Sequence, residues 1–344
     1  MHSLYKNHRS PTHSMKPWFQ PILVGTSHYQ EISIDSDIER RPRIQGVNDV
    51  KNNDPATPAN QFDELGQLDV LQAVDALEAV LQVSNHALSP AESVQGSPNV
   101  LSQEWHLNSS SGYDLNVTDV WQDYTGNGVT VGVVDSGVEK DHPELIGNYD
   151  ATIDYDFLLS NDDGGYKITA DRHGTAVAGV IGAANDSTGS TGVAYDATIT
   201  SFRLVSNQSI YGSMVRDALL QDVDISNNSW GWLNPLSASF FKSTIDSAQE
   251  TAVSTNRGGL GTVFVFSAGN GGRPEDDHNA NYNNLANTRF SITVAAGNED
   301  GTLADFSTPG SPVLVTAPGV SVYTTDMTGS LGYSNGNFTS INGT

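Results

Sequence analysis

The sequence predicts an α/β domain: a mainly parallel sheet flanked by helices on both faces. Six short runs of apolar, β-rich residues lie beyond residue 100, and helical stretches separate them. The runs are near-continuously apolar rather than alternating, as strands buried on both faces require. In such a sheet reactive side chains gather at the carboxyl ends of strands.

In chain order the strand runs are 129–134 (VTVGVV), 198–204, 223–227, 263–267, 292–296 and 313–316. Helical stretches fall at 174–184, 214–221 and 240–252. Ahead of this domain (99–344) stand two other segments. Residues 1–60 are polar and broken by Pro11, Pro17, Pro21, Pro42, Pro55 and Pro58, and read as a disordered or misassigned leader. In 61–98, Leu65, Leu68, Val70, Leu71, Val74, Leu77, Val80 and Leu81 form a helical apolar stripe. It is either one amphipathic helix packed on the main domain or a remnant of a pro-segment. Residues 84–98 are a Ser-, Pro- and Gly-rich linker.

The 344 residues include 40 acidic and 16 basic side chains, a net charge of −24. That balance opposes nucleic-acid binding, which needs clustered Lys and Arg. It suits a soluble, self-repelling protein. There is no cysteine, so disulfides, a thiolate nucleophile and cysteine zinc sites are excluded. No run reaches the ~20 apolar residues of a membrane span. The segment 18–25 (WFQPILVG) is too short and Pro-broken for an export signal.

Three strings bear chemistry. Asp135 ends the first strand run in Val-Val-Asp-Ser-Gly, a position where a partly buried carboxylate needs a partner. His173 opens a small-residue helical run, whose positive end is expected to disfavour the charged imidazole and leave a free base. Asn270 follows the 263–267 run in Ser-Ala-Gly-Asn. Orienting acid, base and oxyanion donor are what serine acyl transfer needs beside its nucleophile.

The order of these strings, with 113–117 (YDLNV), 124–129 (YTGNGV), 137–145 (GVEKDHPEL), 192–195 (GVAY), 227–231 (NNSWG), 267–272 (SAGNGG), Phe306-Ser307 and Ala317-Pro318-Gly319, resembles the subtilisin-like serine peptidases, most closely their kexin/furin-like branch. The resemblance covers residues from about 100 to 344. It implies a subtilisin-like three-layer fold and a serine endopeptidase acting on extended protein or peptide substrates, to which the stretch around Ser209 to Ser213 would offer backbone groups. In it Asp135 orients, His173 is base then acid, and Asn270 donates to the oxyanion. Ser229, Trp230 and Gly231 line the first specificity pocket.

The resemblance places the nucleophilic serine directly after Asn342-Gly343-Thr344, beyond the last residue. The fold is then C-terminally incomplete, and the 344 residues are expected to be inactive, to expose a broad apolar surface and to fold poorly. The alternative is a non-catalytic, peptide-binding remnant. Where kexin-like enzymes carry pocket aspartates for basic side chains, this chain has Asn234 and Ala280 or Asn281. Neutral amides supply no ion pair, so cleavage after paired basic residues is not expected unless Asp276 and Asp277 compensate.

The resemblance also implies structural calcium. The loop 184–190 aligns with the family's calcium loop, with Ala184, Asp186, Thr188 and Ser190 as ligands and Glu144 contributed from the segment after Asp135. A second site would use Asp156 and Asp163 with Asn161 or Asp162 between them; the same stretch also reads as an ordinary acidic turn. By resemblance the protein is secreted, periplasmic or on the cell surface, and a β-sandwich domain follows the catalytic one in such enzymes.

Overall fold

The computed structural model describes residues 102–205, 212–231, 241–273, 278–283 and 285–344. The leader, the apolar stripe of 61–98, the linker, Asn234, Asp276 and Asp277 lie outside the described residues.

The strands are β1 (Thr130–Asp135), β2 (Tyr155–Asp156), β3 (Thr198–Arg203), β4 (Ile225–Asn228), β5 (Val263–Ser267), β6 (Ser291–Gly297) and β7 (Val313–Pro318), followed by β8 (Val322–Thr325) and β9 (Phe338–Ile341). The first seven form one sheet in the order β2-β3-β1-β4-β5-β6-β7. Every pairing in it is parallel. Strands β8 and β9 make a separate antiparallel ribbon. Among the described residues the α-helices are α1 (His173–Gly182), α2 (Gly212–Leu219) and α3 (Lys242–Gly259).

One face of the sheet is covered by α2 and α3. Phe202, Phe264 and Phe266 point into that layer against Val215, Leu219, Ile245, Ala248 and Ala252, all nearly inaccessible. The other face receives α1, which packs against β1, β3 and β8. Its small residues permit the closeness: a Cβ at Gly179 would meet the hydroxyl of Thr325 at 2.1 Å. Val131, Val133, Ala178 and Ile199 form the core there.

Beyond the reach of α1 this second face is thinly covered. Ile225, Val263, Val265, Ile292 and Val294 are only half-buried, and Val315, paired with Val294, is 48% exposed. Neighbours in register place these side chains in rows across β4 to β7.

The sheet reverses direction of growth at β1. After β1 the chain builds β2 and β3 on one side, then β4 to β7 on the other. A crevice at the carboxyl end of β1 results, which is where open α/β sheets place their ligands. Asp135 is the last residue of β1.

The six strand runs and three helices expected from the sequence are all present; the third helix runs to Gly259, past the expected end at residue 252, with a kink at Asn256–Gly258. The pair of residues in β2 and the Thr/Ser-containing β8 and β9 carry too little apolar pattern to be read from sequence. Among the described residues no helix is long and apolar enough to cross a membrane.

Candidate active site

Asp135 is carried to the floor of the crevice by β1 and is 1% exposed. Its burial is compensated by partners. Ser136 N donates to Oδ1 at 2.6 Å, and His173 Nδ1 lies 3.0 Å from Oδ1 and 2.9 Å from Oδ2. His173 is the first residue of α1, and 42% of its side chain is exposed. With Nδ1 turned to the carboxylate, Nε2 is the nitrogen left for a reacting group.

The helix-terminus argument predicts a depressed imidazole, and the structure corrects it. The Asp135 charge, aided by the hydrogen bond, outweighs burial and raises His173 above its ordinary value. A full carboxylate at contact distance is a larger charge than the roughly half charge of a helix end.

Asn270 stands three residues past β5 and is exposed. Its Oδ1 accepts from the amide and hydroxyl of Thr344 at 3.1 and 3.0 Å, and the Thr344 hydroxyl in turn accepts from Gly269 N at 3.1 Å. These bonds orient the carboxamide and leave Nδ2 as its donor. Ser229, Trp230 and Gly231 follow β4, the neighbour of β5. Trp230 is buried against Phe266 at a ring separation of 6.5 Å, while Gly231 lies open beside the Asn283 amide.

Asn281 is exposed, and its Oδ1 is occupied by Ser311 through the amide at 3.0 Å and the hydroxyl at 2.5 Å. Ala280 is buried, with its amide on Pro309 O. Neither position offers a negative charge.

The first calcium grouping is brought together in part. Glu144 is 3% exposed, its Oε1 accepts from the Thr188 hydroxyl at 3.3 Å, and its Oε2 has no partner. Asp186 Oδ1 accepts from the same hydroxyl at 2.7 Å. Ala184 N donates to Glu144 O, and the buried Ser190 Oγ is unpartnered. Left-handed Ser187 and Gly189 fold the loop tightly, and a Cβ at Gly189 would strike Glu144 Oε1 and Phe338. Burial, then the charges of Asp186 and Glu104, push the Glu144 carboxyl up to about 7. Among the described residues no three His, Cys, Asp or Glu side chains form a metal cage on their own. Glu104, buried and accepting from Thr191 N at 2.6 Å, is a neighbour the sequence reading missed. Nothing local marks it, because it precedes the first strand and meets Glu144 only in the fold.

The second grouping finds protein cations instead. Arg203 bonds Asp156 through Nη1 at 2.9 Å, and Asp171 through Nη2 at 2.9 Å, with all three side chains buried. Asp163 pairs with Lys167 at 2.7 Å and Lys140 at 3.2 Å, and the Lys167 bond leads in lowering it to about 2. Each of these carboxylates thus has a protein cation as its partner.

The seven-stranded parallel sheet with a buried aspartate and a helix-borne histidine at its switch point is a subtilisin-like α/β fold. Residues 126–344 match the model of the Subtilase family. Furin-like protease 1, isoform 1-CRR, of Drosophila melanogaster is 32% identical over 249 residues, covering 68% of this chain and 22% of that protein. Human furin is 33% identical over 228 residues, 62% of this chain and 28% of furin. The crystal structure of the serine protease of Aeromonas sobria superposes with a TM-score of 0.65 at 24% identity, covering 75% of this chain and 54% of that one. The chain belongs to the subtilase family of serine endopeptidases, with furin-like relatives of which it spans 22–28%.

Proposed function

We propose that this chain supplies the acid–base pair and the oxyanion donor of a serine endopeptidase. The carrying observation is the contact of buried Asp135 with His173 Nδ1 at 2.9 Å at the carboxyl end of β1. Asp135 fixes the tautomer and stabilises the imidazolium. His173 Nε2 takes the proton from a serine hydroxyl as that oxygen attacks the peptide carbonyl, then returns it to the leaving amine. Asn270 Nδ2 donates to the developing oxyanion. The serine belongs beside Thr344, whose contacts with Asn270 support that placement.

Ser229, Trp230 and Gly231 form one wall of the pocket for the side chain before the cleaved bond. Asparagine in the sequence at 234 and 281, where related enzymes carry aspartate, supplies no charge for arginine, so the specificity is read as broad rather than dibasic. Glu144, Asp186, Thr188, Ala184 and Ser190 are the residues that would hold a calcium ion. It would act there by joining two loops through charge neutralisation, away from the reacting atoms.

Two chains test this reading. The 344 residues alone are expected to release no product from a peptide panel varied at the residue before the bond. The same chain continued after Thr344 with serine and a subtilase central helix is expected to cleave several members. Cleavage only after arginine would refute the broad pocket. Saturable peptide binding without turnover by the completed chain would leave a peptide-binding module instead of an enzyme.

A further inference from the structure

Ser136 follows Asp135 and is 5% exposed, so it lies too deep to meet a substrate. Its hydroxyl makes two bonds across the segment that carries His173. It donates to Asp171 O at 2.9 Å and accepts from Gly174 N at 3.0 Å. These two residues flank Arg172 and His173. The backbone amide of the same serine meanwhile donates to Asp135 Oδ1 at 2.6 Å.

We propose that Ser136 is a positioning residue that sets both members of the Asp135–His173 pair, its amide orienting the carboxylate and its hydroxyl clamping the start of α1. The proposal rests on that pair being the acid–base couple. The need for a clamp follows from helix geometry. Because α1 begins at His173, the amide of Gly174 has no acceptor within the helix and requires one from elsewhere. A side chain donated by the strand that bears Asp135 ties the two elements at the reacting pair. A methyl group in its place leaves a buried amide and a buried carbonyl unsatisfied.

The clamp has a rigid backing. Asp171 is 1% exposed, and its Oδ2 accepts from Arg203 Nε at 3.0 Å and from Lys167 N at 3.0 Å. Arg203 is the register partner of Asp135 on the adjacent strand. The segment ahead of His173 is thus anchored to β3 through the Asp171 carboxylate. It is anchored to the end of β1 through Ser136, whose hydroxyl bonds the backbone on both sides of His173.

The test uses the chain continued after Thr344 as above, with alanine in place of the added serine, and needs no turnover. Amide exchange of Gly174 and the imidazole titration of His173 are followed by NMR in the wild type, Ser136→Ala, Ser136→Thr and Asp135→Asn. In the wild type Gly174 is expected to exchange slowly and His173 to titrate above the ordinary value. In Ser136→Ala the Gly174 amide should exchange about 10-fold faster, the loss of one hydrogen bond, and the His173 titration should fall back toward normal. Ser136→Thr, which keeps the hydroxyl, should restore both.

Fast exchange of Gly174 in the wild type overturns the clamp even if Ser136→Ala does not fold. A folded Ser136→Ala with unchanged His173 titration overturns it too. If Asp135→Asn removes the raised titration in that case, the acid–base pair stands and only the role of Ser136 is lost. If Asp135→Asn leaves the titration unaltered, the pair itself is refuted and the positioning role with it.

Discussion

Asp135→Asn in the serine-completed chain is expected to lower turnover by about 10⁴-fold, with little change in substrate affinity. The size follows from what the carboxylate does in place. It accepts from Nδ1 with both oxygens at 2.9–3.0 Å, which holds the tautomer that leaves Nε2 free to take a proton. An amide is neutral and presents either an acceptor or a donor to Nδ1, so it neither fixes that tautomer nor stabilises the imidazolium.

The pH dependence gives an independent check. Asp135 raises the His173 value above ordinary, and the base form exists only above that value. Turnover in the completed wild-type chain therefore rises with pH through the raised value. In the variant this limb moves to lower pH while its plateau drops. For stability the sign is the reverse. A histidine raised in the folded state stabilises fully below its unfolded value, and this contribution is lost as pH rises through the folded one. Rate–pH profiles and denaturation midpoints from pH 5 to 9 read both. A plateau unchanged within 10-fold would exclude Asp135 as the orienting acid.

Calcium is expected to raise the unfolding temperature of the chain, to release protons on binding near pH 6, and to do neither in Glu144→Gln. At free calcium 100-fold above Kd the stabilisation amounts to about 2.7 kcal/mol. The Glu144 carboxyl stands near 7 because burial and the charges of Asp186 and Glu104 oppose its ionisation. Between the unfolded carboxylate range, about 4.3, and 7 the native state holds more protons than the unfolded chain. Metal-free stability therefore falls as pH rises through that window. A divalent cation held among these oxygens would offset the penalty with loss of the proton, so apparent affinity is expected to rise with pH up to about 7. Calorimetry in two buffers of different ionisation enthalpy counts the protons. Binding retained in Glu144→Gln, or lost in Asp163→Asn, would move the site away from this loop.

The two halves of the site were unequally legible. Asp135 could be read because it terminates an apolar strand run, and His173 because a dense run of small residues marks a tightly packed helix behind it. Asn270 was readable for the same reason as Asp135, its place just past a strand. The counterions were not. Arg203 closes a strand run with a charge, which signals a buried partner without saying which one. Asp156 and Asp171 reach it from segments far apart in the chain. The acidic turn around Asp163 consequently looked metal-ready, although Lys140 and Lys167 already neutralise it. Ser136 was in view inside the Asp135 motif. Its bonds to the backbone on both sides of His173 were not, because they depend on β1 and α1 meeting.

By itself the sequence determined the elements and the candidate site positions at their ends, since the period of apolar residues and the ends of their runs are local properties of the chain. Only the tertiary structure decided the strand order that makes a crevice at β1, the carboxylate contact that raises His173 above its ordinary value, and which carboxylates lack a cationic partner. Those outcomes depend on distances of a few ångströms between residues remote in sequence, where Coulomb energy and desolvation change steeply.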